Sequence, residues 1–297
     1  PPDPNAYLEE IRGPRALETV KRWNAATRKT LSAEPHFAEY RARALALLQD
    51  EHQIAAPEAV IGDRILNLWQ DKANPRGLWR IASLESFAAG MPAWRVLIDV
   101  DALGKAEGRS WVWKGAVCRA PDYRRCMVAL SDGGGDAVVQ REYDIEAGAF
   151  VPGGFVVPSA KSSVAWAGPD ALYVAADFGP GSLTRASYPR LVKLWRRGTP
   201  MAEAKLIAEG RETDNGLAVV ARSDGDTDYP LVLREIDTYS IAVSHILPDG
   251  RLAPSPLPAD AEVQDVLDGR LVAKVLTPWR GHEAGSLVAY FIADVLA

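Results

Sequence analysis

The chain is poor in the residues that most often carry chemistry. Its 297 residues include two cysteines, three methionines and four histidines. Two cysteines are too few for a disulfide framework. The histidines, His36, His52, His245 and His282, are scattered and make no metal-ligand spacing. No run approaches roughly 18 uninterrupted apolar residues, so no membrane-spanning helix and no membrane partner are expected. Positive charge is not in excess. The net charge of −5 gives no electrostatic reason to expect nucleic acid.

Catalytic and cofactor motifs are missing too. A nucleophile elbow needs Gly-x-Ser-x-Gly on a strand-to-helix turn. The nearest match, Gly108-Arg-Ser110-Trp-Val112, lacks the second glycine. Gly181-Ser182 has the wrong spacing. No residue is therefore assigned a catalytic role. Asp132-Gly-Gly-Gly-Asp136 has no lysine and no helix start, and reads as a tight strand connection rather than a phosphate cradle. Asp224, Asp226, Asp228 and Glu235 have carboxylates at calcium-loop spacing, but Tyr229 stands where the sharp turn requires glycine. A solvated acidic turn is expected there. Neither metal nor cofactor is assigned.

What remains is a large apolar fraction, 47%, with 25% charged residues, enough for a sizeable core. Residues 14–30 and 35–52 show helical apolar spacing, with Leu17, Val20 and Trp23 in one and Tyr40, Ala44, Leu47 and Leu48 in the other. Pro14 suits a first helical turn and Pro35 the start of the second helix. Two such helices cannot make a core alone. From about Val60 the pattern changes to short alternating runs between Gly, Pro, Asp and Asn, which reads as strands. Runs starting at Arg95, Ala137, Leu191, Leu231 and Leu287 lie roughly 40–55 residues apart, the length of one four-stranded propeller blade. No long helix interrupts them, which argues against parallel βαβ units. A β-sandwich with long loops is the competing all-β reading. Trp69, Trp79, Trp111, Trp113, Trp166 and Trp195 read as buried aromatics between blades. Cys118 and Cys126 flank the Pro121-Asp122 turn and can face one another across a hairpin. Two half-buried free thiols are the expectation.

Two strings are far more specific. Residues 69–80 read WQDKANPRGLWR and residues 177–200 read DFGPGSLTRASYPRLVKLWRRGTP. With Trp111-Val-Trp-Lys-Gly115 and Ala160-Lys-Ser-Ser-Val-Ala-Trp166, they resemble the prolyl oligopeptidase family of serine peptidases. Asp3-Pro4, Leu8-Glu9, Ala16-Leu17, Val20, Asn24 and Thr27 resemble that family's N-terminal helical segment, with Tyr7 in place of its usual tryptophan.

The resemblance implies a mainly β fold: about five blades of a seven-bladed β-propeller after a helical segment, residues 1–58, with the incomplete propeller over 59–297. It implies a gate and size filter for an enzyme that cuts short proline-containing peptides. The α/β-hydrolase domain that holds the catalytic Ser, Asp and His lies C-terminal to the propeller in the family and is absent here. That missing domain and short peptides are the expected partners. Uncovered sheet edges are expected to associate edge to edge. A stand-alone propeller that binds peptides or a protein is the alternative. A cytoplasmic location is expected, or a periplasmic one if a leader has been removed.

The resemblance also places two candidate regions. Lys161 matches a position where relatives carry a substrate-facing side chain, and suits a substrate carboxylate. Asp177, Arg185, Tyr188 and Arg190 lie in the region from Asp177 to Arg190, which turns at Gly179-Pro180-Gly181 and matches the family's mobile gate loop. A gate loop must be weakly held to open.

Overall fold

The computed structural model describes residues 3–10, 12–50 and 52–296. The framework divides into two units: the N-terminal segment to Ile54 together with Gln70–Pro75, and Ala55–Trp69 together with the chain from Arg76 onward.

Among its described residues the first unit carries a short 3-10 helix (Ala6–Glu9) and two α-helices, α1 (Pro14–Leu31) and α2 (Phe37–Leu48). Pro14 opens α1, where a missing N–H costs nothing, and Arg28 and Lys29 lie in its last turn, where cations suit the carbonyl end. Among the described residues of α1 only Ala16 and Thr19 are buried. Leu17, Val20 and Trp23 stay exposed, as do Tyr40, Leu47 and Leu48 of α2.

The second unit is a five-blade β-propeller arrangement. Blade one is β1 (Ala59–Ile61), β2 (Arg64–Trp69), β3 (Leu78–Ser83) and β4 (Arg95–Asp99), with the short α3 (Leu84–Ala88) between β3 and β4. A helix not foreseen from the sequence, α4 (Val100–Glu107), leads to the next blade. Its signals are local: Asp99 Oδ1 accepts the Ala102 N–H at 2.8 Å as N-cap, and Gly108 ends it at a left-handed φ of 63°. Gly108 is therefore a helix terminator, and Ser110 accepts an Arg76 hydrogen bond at 3.0 Å.

Blade two is β5 (Trp111–Cys118), β6 (Arg125–Asp132), β7 (Val138–Asp144) and β8 (Ala149–Phe150), with β9 (Val156–Ala160) also on β7. Blade three is β10 (Ser163–Trp166), β11 (Ala171–Ala175), β12 (Leu191–Arg196) and β13 (Lys205–Glu209). Blade four is β14 (Gly216–Asp224), β15 (Thr227–Glu235), β16 (Ile241–Ile246) and β17 (Leu252–Pro254). Blade five has β18 (Glu262–Leu267), β19 (Arg270–Lys274) and β20 (Leu287–Phe291), followed by α5 (Ala293–Leu296). Every pairing is antiparallel. The first strands adjoin one another, β5 by β10, β10 by β14 and β14 by β18, so they form the inner side of the arrangement.

The blades bury aromatic layers between them. Trp79 of blade one lies 4.9 Å from Trp113 and 5.6 Å from Tyr143 of blade two, ring centre to ring centre. The next layer holds Phe155, Trp166 and Trp195, with the Trp166 indole donating to the Val117 carbonyl at 2.8 Å. Smaller side chains, Ala165, Val219 and Val232, fill the layer between blades three and four. Between blades four and five the buried His245 Nε2 stands 2.6 Å from the Tyr290 hydroxyl, and burial pushes its imidazole below the ordinary histidine value.

One expectation is corrected. Cys118 and Cys126 are not free thiols but a disulfide, with an S–S distance of 2.02 Å. The two residues are direct partners across β5 and β6, which brings their side chains together on one face.

Candidate functional site

In each blade the chain enters the inner strand at one end and turns back at the other. Lys161 to Ser163 lead into β10, and Gly216 to Ala218 open β14. The loop from β11 to β12 lies at this same entry end. Lys161, Ser162, Ser163, Tyr188, Gly216 and Glu235 line a cavity of about 350 Å³ there, with Lys114 and Asp136 at its blade-two side.

Lys161 and Tyr188 are brought into contact. The Lys161 Nζ lies 3.7 Å from the centre of the Tyr188 ring and 3.6 Å from Asp136 Oδ2. Its charge is thus already faced by a ring and a carboxylate. Tyr188 also leans on Gly216: a Cβ at that glycine would come within 2.8 Å of the Tyr188 Cβ. Any side chain at Gly216 would displace the tyrosine.

The other three candidates do not line this cavity. Asp177 stays inside its own loop, where Oδ1 accepts the Gly179 N–H at 2.8 Å and lies 2.9 Å from Ser182 Oγ. Arg190 clasps the loop's legs: its guanidinium donates to the Gly181 carbonyl at 2.6 and 3.0 Å and pairs with Glu209 at 2.9 Å. The Arg185 side chain is exposed, while its N–H bonds the Glu212 carbonyl at 2.9 Å.

The loop is also tied to blade four, by Leu217 N–H to Pro189 carbonyl at 2.7 Å and Thr184 Oγ1 to Asn215 carbonyl at 3.1 Å. Both legs are therefore firmly held, and residues 185–188 form its exposed tip. Ser187 turns that tip at a φ of 61°.

The sequence does not single out Lys114, Asp136, Ser162, Ser163, Gly216 or Glu235 as lining residues. Asp136 reads as the end of a glycine-rich connection, and Glu235 as the last carboxylate of a calcium-like spacing at the end of a strand run. Gly216 gives no signal by itself. Glu235 has no side-chain partner among the described residues. A charged residue closing an apolar strand run is the one local hint, because strand ends reach the rim.

The lining offers charged and hydrogen-bonding groups, and its two serines are already engaged. Ser162 Oγ accepts from Gln140 at 2.9 Å and Ser163 Oγ from the Val219 N–H at 2.9 Å, so both serve the fold. No histidine is among the residues that line the cavity. Ser182, buried at 2% exposure, is held by Asp177 and by the Phe178 N–H at 2.8 Å within its turn.

The chain resembles longer peptidases along nearly its whole length. An uncharacterized peptidase of Sinorhizobium fredii, y4nA, is 36% identical over 309 residues, which take in 99% of this chain and 42% of that relative. A second, RP174 of Rickettsia prowazekii, is 25% identical, again over 99% of this chain and 43% of the relative. The chain thus spans less than half the length of these relatives. A solved post-proline cleaving enzyme from Rickettsia typhi matches with a TM-score of 0.85 and 25% identity, over 99% of this chain and 45% of that one. Oligopeptidase B from Trypanosoma brucei shares the fold at a TM-score of 0.68 and 14% identity, over 99% of this chain and 40% of that one. Residues 2–246 match the family model for the prolyl oligopeptidase N-terminal β-propeller domain, and the chain accordingly belongs to the prolyl oligopeptidase family.

Proposed function

We propose that this chain is the gate and size-filter portion of a serine-type oligopeptidase that cuts short peptides after proline. The observation that carries the reading is the match of 99% of this chain to 45% of the post-proline cleaving enzyme of Rickettsia typhi. In the whole protein a serine outside these residues attacks the proline carbonyl, a histidine takes the serine proton and gives it to the leaving amine, and an aspartate orients that histidine. The propeller contributes the cavity beside Lys161 and Tyr188 and the loop tip at Arg185.

The cavity redefines the part given to Lys161. Its ammonium is already engaged by Asp136 and the Tyr188 ring, so it holds the loop tip before it meets any substrate carboxylate. Asp177 and Arg190 keep the loop's shape. Arg185 is the candidate free to reach a peptide. The Cys118–Cys126 bond favours an oxidising compartment, and so the periplasmic alternative over the cytoplasmic one.

The test is hydrolysis of a fluorogenic proline peptide by the full-length protein. Turnover that stops at proline, and that slows on Arg185→Ala with the fold intact, is the expected result. A full-length protein that binds the peptide but does not cut it would instead identify a stand-alone binding module.

A further inference from the structure

The end of the inner strands opposite the cavity is bridged from blade to blade. There each first strand turns back into the second. In blade three this turn is short: β10 has four residues and ends before Gly168. In blade four β14 and β15 have nine residues each and pair without a break from Gly216↔Glu235 to Asp224↔Thr227. The long hairpin passes the short one and reaches blade two.

It is fastened at both sides. The Tyr123 hydroxyl donates to the Gly225 carbonyl at 3.1 Å, across 102 residues of sequence. The Ala120 N–H donates to Asp228 Oδ2 at 3.3 Å. On the other side the Gly269 N–H of blade five donates to Asp224 Oδ2 at 2.8 Å. The receiving loop in blade two, residues 119–124, is itself fixed. Cys118–Cys126 ties its base, and Arg64 of blade one donates to the Asp122 carbonyl at 2.9 Å. A Cβ on Gly62 of blade one would touch the Tyr123 ring at 3.9 Å. Turns from blades one, two, four and five are thus joined in one line across the inner side.

We propose that hairpin 222–229 and loop 119–124 form a strap that closes this end of the inner strands, so that peptides reach the Lys161–Tyr188 cavity only from the other end. The strap makes these residues determinants of substrate size. A contact between blades two and four that bypasses blade three must cross the inner side, because blade three occupies the space between them. Backbone carbonyls, backbone N–H groups and aspartates make the joints, each in a turn fixed by its own blade. A chain of peptide width cannot pass without breaking them. This inference rests on the peptidase reading for its consequence, but not for its geometry.

The experiment uses the full-length protein in two forms, wild type and a variant in which Ser223–Asp228 is replaced by Asn-Gly, a two-residue hairpin turn. A milder variant, Tyr123→Phe with Asp228→Ala, removes the two joints to blade two and keeps the chain length. Turnover is measured on proline peptides of roughly 10 and roughly 40 residues. The short peptide should be cut at an unchanged kcat/KM, and the long one faster by on the order of tenfold in either variant. Equal change for both lengths, or no change for either, overturns the size role. Amide exchange at Ala120 and Gly269 tests the strap without any activity. Protection in the wild type that is lost in the shortened form supports it, and rapid exchange of both in the wild type refutes it. A wild-type protein that cuts neither peptide but protects these amides refutes the peptidase reading and leaves the strap standing.

Discussion

Lys161 lies with its ammonium over the Tyr188 ring at 3.7 Å, and through this contact the loop tip is joined to the entry of β10. The two residues come from two connections at the same end of blade three, the one into β10 and the one between β11 and β12, and Tyr188 takes its place against Gly216, where a side chain would collide with it. A cation over an aromatic face contributes roughly 0.5–1 kcal/mol where it is solvated.

Replacing Lys161 by Met keeps the length of the side chain and removes the charge. Together with Tyr188→Ala in a double-mutant cycle, it should give a coupling of about 0.5–1 kcal/mol in urea unfolding. Gly216→Ala should act on the same contact by steric displacement. Its readout is faster amide exchange at Leu217, whose N–H bonds the Pro189 carbonyl. Unchanged exchange at Leu217 would show that the tyrosine accommodates the added methyl group.

Glu142 is a buried joint between blades two and three. Its side chain is 1% exposed, and it receives Arg197 at 2.8 and 3.1 Å and the Phe155 N–H at 2.9 Å. Arg197 is 31% exposed and keeps Asp170 at 3.0 Å, so the group that Glu142→Ala leaves buried without an acceptor is the Phe155 N–H. Glu142→Ala should lower unfolding stability in urea by roughly 1–3 kcal/mol. Glu142→Gln, which keeps an acceptor for that N–H, should lose less in the same urea measurement.

Asp144 sets an acid limit. Hydrogen bonds from Arg124, at 2.8 to 3.1 Å, hold its carboxyl down to about 2 against the opposing effect of burial. The folded state therefore favours the ionised form. The stability this adds is present above the ordinary aspartate value near 3.9 and is lost as pH falls from about 4 to about 2. At roughly 1.4 kcal/mol per unit of lowering, the size is on the order of 2 kcal/mol. Urea midpoints measured across this range should fall in the wild type and fall less in Asp144→Asn.

Much of the fold is legible in the sequence. The runs at Arg95, Ala137, Leu191, Leu231 and Leu287 correspond to β4, β7, β12, β15 and β20, one in each of the five blades. Residues 14–30 and 35–52 enclose or overlap α1 and α2. Helix α4 escaped notice because eight residues give little periodicity, although Asp99 and Gly108 are ordinary capping residues. The candidate site was half legible. The strings around Lys161 and Tyr188 pointed to both residues, but Asp136 and Glu235 sit in runs whose local pattern says only turn and strand. The disulfide was misread because spacing alone does not reveal the register that makes Cys118 and Cys126 partners.

The sequence by itself determined the blades and the family, because alternation, turn residues and the long strings are local properties of the chain. Only the tertiary structure decided which side chains meet between blades. Arg197 finds Glu142 across 55 residues, and Tyr123 finds Gly225 across 102. Such meetings depend on the length of each hairpin and on how far each blade carries its residues along the inner side. Those distances are set by packing, and no single stretch of sequence contains them.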